Sequence, residues 1–201
     1  MNILFVCTGN TCRSPMAEAL LKHKIPEASV QSAGIFAGKD HRANEVAKQA
    51  LNKRGIHLDH QSQPVTNGLL QWSDVVLTMT TQHKQSMIVD FPEHQDKYYT
   101  LKEYVSESDK EVWQLLRETY ANYELKRSKF IRENQSKMDG VELHKQLENY
   151  LGEDITKIQR LESNLINYDI SDPFGGSLQV YQKTLDELDQ NIDILIKKLE
   201  K

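Results

Sequence analysis

Asn2-Ile3-Leu4-Phe5-Val6-Cys7-Thr8-Gly9-Asn10-Thr11-Cys12-Arg13-Ser14-Pro15 reads as a strand, a tight loop and the start of a helix. Residues 2–6 are a short apolar run of the kind buried strands show, and Ser14-Pro15 opens a segment with apolar residues at Met16, Ala17, Leu20 and Leu21. The loop between them holds a thiol, a glycine and a guanidinium. Gly9 is expected to take positive φ or let the backbone approach a ligand closely, and the first helical turn leaves N–H groups without intrahelical partners. Those donors, the helix dipole and a two-pronged Arg13 suit a dianionic phosphoryl group. The same field favours Cys7 as thiolate, hence as nucleophile. Thr8, Asn10, Thr11 and Cys12 line the loop, Ser14 is placed to donate to Cys7, and Asn10 to steady the backbone through side-chain hydrogen bonds. The plainer reading is a small buried thiol at a strand end and a surface arginine, and it leaves Gly9, Ser14 and the register of the helix start unexplained. The loop is neither Gly-x4-Gly-Lys-Ser/Thr nor Gly-x-Gly-x2-Gly, so no nucleotide is implied.

Outward from the loop, short β-like runs alternate with helical patterns, as a parallel α/β sheet requires. Strands are predicted at Asn2 to Val6, Ser29 to Ile35, Asp74 to Met79 and Lys97 to Leu101. Ala43, Val46, Ala47, Ala50 and Leu51 have helical spacing with Gly55 as a stop, and a second helix is predicted around Thr81 to Val89. Tyr181, Leu185, Leu188, Ile192, Leu195 and Leu199 mark a long amphipathic helix that packs back on the sheet. Ligands of such sheets sit beyond the carboxyl ends of the strands, where the Cys7 loop falls.

Cys-x5-Arg-Ser after the first strand resembles the low-molecular-weight protein tyrosine phosphatase family. Ser32-Ala33-Gly34 and Ser171-Asp172-Pro173-Phe174-Gly175-Gly176 resemble it too. The resemblance covers residues 1 to about 105 and 170–201. It implies a four-stranded parallel sheet with helices on both faces, Cys7 as nucleophile, Arg13 as transition-state clamp and Asp172 as general acid and base. Within the family the chain is most similar to bacterial protein arginine phosphatases, on Thr11 and on Phe174-Gly175-Gly176. The resemblance implies a phosphocysteine intermediate, phosphorylated protein substrates, and Phe174 stacking on a planar guanidinium. Phosphotyrosine is the alternative substrate. A reversible Cys7–Cys12 disulfide is implied as well, and a small buried Cys12 thiol is the other reading. Ser32 is expected to anchor Asn10. The lack of a third cysteine speaks against the related arsenate reductases that relay a disulfide outward.

Between Tyr104 and Asp172 the sequence departs from the family by an insertion of roughly fifty residues, about 106–168. Helical periodicity appears in Val112, Leu115, Leu116, Tyr120 and Tyr123, then in Leu147, Leu151, Ile155, Ile158, Leu161 and Leu165, so two or three helices are expected, as a helical subdomain or a hairpin. The domain organisation expected is one phosphatase domain, 1–201, carrying this insertion as lid, partner platform, regulator or passive decoration. A remote alternative is an anion-binding or partner module in which the insertion is the functional part.

The remaining features exclude more than they assign. Net charge is −4 with no basic block, which gives a nucleic-acid partner no support. No apolar run approaches a membrane span and no signal segment is seen, so a cytoplasmic protein is expected. Seven histidines, His57, His60 and His83 among them, make no ligand pattern with the cysteines and read as surface and turn residues. No metal and no cofactor is expected.

Overall fold

The computed structural model describes residues 1–106, 109–163 and 167–200, with only the backbone of 109–111 and 113. Its elements, in chain order, are β1 (Ile3–Cys7), α1 (Arg13–Lys24), β2 (Val30–Gly34), α2 (Glu45–Asn52), α3 (Asn67–Trp72), β3 (Val75–Thr78), α4 (Thr81–Asp90), a 3-10 turn (Pro92–Lys97), β4 (Tyr98–Thr100), α5 (Leu101–Val105), α6 (Asp109–Asn134), α7 (Gly140–Ser163) and α8 (Leu178–Leu199). They fall into two compact units, one of residues 1–105 with 168–201 and one of residues 106–167.

In the first unit the four strands are all parallel, in the order β2-β1-β3-β4, with Ile3 of β1 level with Val30 of β2 and Val75 of β3. A parallel sheet is covered on both faces, which is why β1 is apolar throughout. Alternate residues feed different cores. Ile3, Phe5 and Cys7 join the core shared with α1, α2, α5 and α8, while Leu4 and Val6 join Leu70 of α3 and Met87 of α4. Each such side chain contributes about 1.5–3 kcal/mol by leaving water. α8 lays Tyr181, Leu185, Leu188, Ile192 and Leu195 against this core and packs on α1 and α2. Asn44 caps α2, its Oδ1 accepting from Val46 N at 2.9 Å, and Gly55, at φ +74°, turns the chain after it.

The predicted elements are present with shifted ends. Cys7 is the last residue of β1 rather than the first of the loop, α1 begins at Arg13, and Leu101 opens α5 instead of closing β4. α3 is unforeseen: six residues are too few to show a period.

The second unit is two helices, α6 and α7, packed on each other. Lys126 bonds Asp154 at 2.7 Å, Phe130 stacks on Tyr150 at 5.0 Å, and Tyr120 Oη donates to Glu162 at 2.6 Å. Partners that rise on one helix fall on the other, so the pair is an antiparallel hairpin. Asp139 starts α7, its Oδ1 accepting from Val141 N and Glu142 N at 3.0 and 2.9 Å. Leu116, Leu151 and Ile158 are buried, whereas Leu115 and Tyr120 of the apolar series are exposed. Leu165 of that series lies outside the described residues. No helix among the described residues is long and apolar enough to cross a membrane.

Candidate active site

β1 ends in Cys7, α1 starts at Arg13, and the five residues between them form the loop at the carboxyl edge of the sheet. Five carbonyls of the loop and its strand end accept hydrogen bonds. Cys7 O accepts from Ile35 N (3.0 Å), Thr8 O from Phe36 N (2.9 Å), Thr11 O from Asn44 N (2.8 Å) and Cys12 O from Met16 N (3.1 Å). Asn10 O takes a bond from His60 Nε2 at 3.0 Å. Among the described residues no protein acceptor takes a bond from the N–H groups of Thr8, Gly9, Asn10, Thr11 or Cys12. Cys12 precedes α1 without a side-chain cap, which leaves the helix's first N–H groups and the positive end of its dipole at the same place. The arrangement is an anion cradle with the Cys7 thiol at its edge.

The positive φ belongs to Asn10 (53°), not to Gly9. An asparagine tolerates that conformation when its amide is engaged locally, and this amide is fully used. Its Nδ2 donates to Ser14 Oγ (3.0 Å) and Ser32 Oγ (2.9 Å), and its Oδ1 accepts from Gln63 N (2.9 Å) and lies 3.1 Å from His60 Nε2. Facing two oxygens, His60 Nε2 carries its proton. Ser14 Oγ accepts from Asn10 at 3.0 Å, and its one hydrogen has two acceptors in reach, Ala33 O at 3.4 Å and Cys7 Sγ at 3.0 Å, the nearer of which is the one a Cys7 thiolate would strengthen. Gly34, at the end of β2, is pressed against this loop: a Cβ there would stand 2.7 Å from Thr8 O and 2.8 Å from Asn10 N.

Arg13 and Ser14 are buried, Thr11 and Gly9 are half-buried, and Thr8 is exposed. Arg13 Nη2 pairs with Asp172 Oδ2 at 2.7 Å and Nη1 donates to Ile170 O at 3.4 Å, so the cation and the distant carboxylate meet across 159 positions of sequence. Asp172 keeps 53% of its side chain exposed. Its Oδ1 accepts from Phe174 N at 3.1 Å, and Gly175, at φ +75°, turns the chain so that Gly176 N reaches Pro173 O at 2.9 Å. Phe174 presents its ring to solvent, 76% exposed. Cys7 and Cys12 are free thiols. Cys12 Sγ is buried 3.3 Å from Tyr181 Oη and 3.7 Å from Thr11 Oγ1, and burial pushes its thiol up, against the hydrogen bonds.

Residues 2–132 match the sequence pattern of a family described as low molecular weight phosphotyrosine protein phosphatase. The chain belongs to that family. It is 35% identical over an alignment 206 positions long to a protein-arginine-phosphatase of Bacillus subtilis, spanning 100% of this chain and 98% of that one. It is 38% identical over 108 residues to the low molecular weight protein-tyrosine-phosphatase PtpB of Staphylococcus aureus, spanning 54% of this chain and 76% of that one. Its fold matches a solved YwlE arginine phosphatase, a C7S mutant with a phosphorylated active-site serine, at a TM-score of 0.68, with 34% identity, covering 100% of this chain and 97% of that one.

Two histidines of this low-molecular-weight phosphatase depart from the expectation that they serve surfaces and turns. His60 holds Asn10, and His83 is 8% exposed, its Nε2 2.8 Å from Thr8 Oγ1 and its Nδ1 2.9 Å from Thr80 Oγ1. Burial, then the Arg13 charge, lowers the His83 pKa to about 4, so the ring is neutral near pH 7. Burial lowers His60 as well, against its bond to Asn10. Neither residue has a local signal in the sequence, since their partners lie 50 and 75 positions away. Among the described residues no group of three or more His, Cys, Asp or Glu is arranged to hold a metal ion.

Proposed function

We propose that this chain hydrolyses phosphoarginine on proteins through a phosphocysteine at Cys7. The observation that carries the reading is the joining of the Cys7–Ser14 loop to Asp172 through Arg13, 2.7 Å from the acid. The phosphoryl group binds with its oxygens on the loop N–H groups and Arg13. Cys7 attacks phosphorus in line, the P–N bond breaks, and Asp172 gives its proton to the departing guanidino nitrogen. Asp172, now a carboxylate, takes a proton from the water that releases phosphate and restores the thiolate. Thr8, Gly9, Asn10, Thr11, Cys12 and Ser14 hold the phosphoryl group and the loop that binds it, and Phe174 covers the planar guanidinium.

The full-length similarity to a protein-arginine-phosphatase supports phosphoarginine as substrate, and the YwlE structure with a phosphorylated serine supports a covalent intermediate. A small, half-buried Thr11 offers a polar wall, less suited to a phenol ring than an aliphatic one. Phosphotyrosine is the second reading, supported by the match to PtpB over about half of the chain. Rapid quenching of the Asp172→Asn variant after mixing with a phosphoarginine peptide, followed by peptide mapping, is expected to find phosphate on Cys7. Turnover without a phosphorylated Cys7 overturns the mechanism.

We read residues 106–167 as an insertion in a single phosphatase domain, since the first unit is completed by chain from both sides of it. Two free thiols, Cys7 at the end of β1 and Cys12 at the end of the loop after it, support a reducing, cytoplasmic setting and a reversible Cys7–Cys12 disulfide under oxidant. Peroxide inactivation that reductant reverses, and reverses less in Cys12→Ala, is the expected behaviour.

A further inference from the structure

A general acid works only if its carboxyl group is held at the leaving atom, and a displacement of about 1 Å costs on the order of a hundredfold in rate. Asp172 is half in solvent, and among the described residues its side chain bonds Arg13 and the N–H of Phe174. What fixes it is the backbone just before it. Asp169, Ile170 and Ser171 are each fastened by a different part of the fold. Asp169 Oδ1 accepts from Thr81 N at 2.7 Å at the start of α4, and Asp169 O accepts from Lys102 Nζ of α5 at 2.8 Å. Ile170 N donates to Met79 O at 2.8 Å, just beyond β3. Ser171 is gripped by α8: Glu187 Oε2 accepts from its N–H at 3.0 Å and from its hydroxyl at 2.7 Å, and Thr184 Oγ1, one turn away, lies 2.9 Å from that hydroxyl.

The two grips are one unit, because Glu187 Oε1 pairs with Lys102 Nζ at 2.6 Å. One ammonium and one carboxylate therefore clamp the chain at 169 and 171. Both are largely shielded, at 17% and 26% side-chain exposure, so solvent does not compete as it does for surface pairs. Burial pushes the Glu187 carboxyl up, but the bonds from Lys102 and Ser171 outweigh it and leave it below its ordinary value.

We propose that Glu187 and Lys102 are positioning residues, which deliver Asp172 to the leaving atom by clasping Ser171 and Asp169. The proposal rests on the reading of Asp172 as general acid. The other role for the pair is to pack α5 against α8, and the two roles differ in one respect. A misplaced acid slows departure of poor leaving groups and spares good ones, whereas loosened packing slows both alike.

The test is kcat/KM, which reports steps through P–O cleavage, on phenyl phosphate and 4-nitrophenyl phosphate, for the wild type, Glu187→Gln, Ser171→Ala and Asp172→Asn. Glu187→Gln is expected to lose about tenfold or more on phenyl phosphate and under about threefold on 4-nitrophenyl phosphate, with Asp172→Asn showing the same contrast more strongly. Ser171→Ala removes only the hydroxyl half of the clasp and is expected to show a smaller contrast of the same sign. It decides the matter should Glu187→Gln lower the folded fraction. If the Glu187 and Ser171 variants lose equally on both substrates while Asp172→Asn discriminates, the clasp is rejected and the acid assignment stands. If Asp172→Asn does not discriminate, the acid assignment falls and the clasp with it.

Discussion

Arg13 Nη2 lies 2.7 Å from Asp172 Oδ2, so the buried guanidinium of the phosphate loop is partnered by the carboxylate assigned as acid. A phosphoryl dianion entering the loop must share that cation or take it over. Under the proposed mechanism the pair links binding to proton transfer, since the charge assigned to hold substrate also holds the group assigned to protonate the leaving atom.

Asp172→Asn removes the competing charge without changing shape. Asp172 is half exposed, which limits the competition to about 1 kcal/mol. Inorganic phosphate is therefore expected to inhibit the variant about fivefold more tightly, while kcat/KM on phosphoarginine falls by about 10²–10⁴. A phosphate inhibition constant equal to that of the wild type contradicts the pairing.

Asn10 combines a left-handed backbone with a fully satisfied buried amide. Asn10→Ala takes a partner from Ser14, Ser32 and Gln63, while His60 keeps the Asn10 carbonyl, and is expected to cost about 3 kcal/mol in urea unfolding. Asn10→Gly relieves only the backbone and should recover about 1 kcal/mol of that. Equal losses for the two variants would show that φ 53° carries no strain.

His83 gives the protein an acid limb. Its pKa is about 4 in the fold against 6.5 ordinarily, through burial and then the Arg13 charge. Between those values the unfolded chain binds more protons than the native one, so stability rises with pH. The contribution is fully present above about pH 6.5 and is lost as pH falls to about 4, a loss of up to about 3 kcal/mol. Urea unfolding at pH 7 and 4.5 should show the wild type losing more than His83→Gln, and equal losses would remove His83 from the account.

Continuous, local signals were readable from sequence alone. The apolar run of β1, the period of α8 and the Cys-x5-Arg-Ser spacing place the strand, the helix and the nucleophile because each pattern lies within one element. What escaped depends on the packing of distant elements. His60 and His83 reach the loop from 50 and 75 positions away, and Tyr181 meets Cys12 from 169. Glycine bears a positive φ at least cost, which makes Gly9 the local candidate for it or for close approach of a ligand, yet the amide partners of Asn10, supplied by β2, Gln63 and His60, hold the positive φ one residue on.

The phosphoarginine reading assigns substrate preference in the loop to Thr11, and Thr11→Ile exchanges a polar wall for an apolar one. The ratio of kcat/KM for phosphoarginine to that for phosphotyrosine is expected to fall about tenfold in the variant, on the order of one buried aliphatic side chain's contribution. An unchanged ratio would assign selectivity elsewhere.

The most direct test of the central claim is kcat/KM of the wild-type chain on phosphoarginine and phosphotyrosine peptides of the same sequence, measured side by side. The account predicts a value for phosphoarginine at least about tenfold the higher, with both activities abolished in Cys7→Ser. Faster turnover of phosphotyrosine would contradict it.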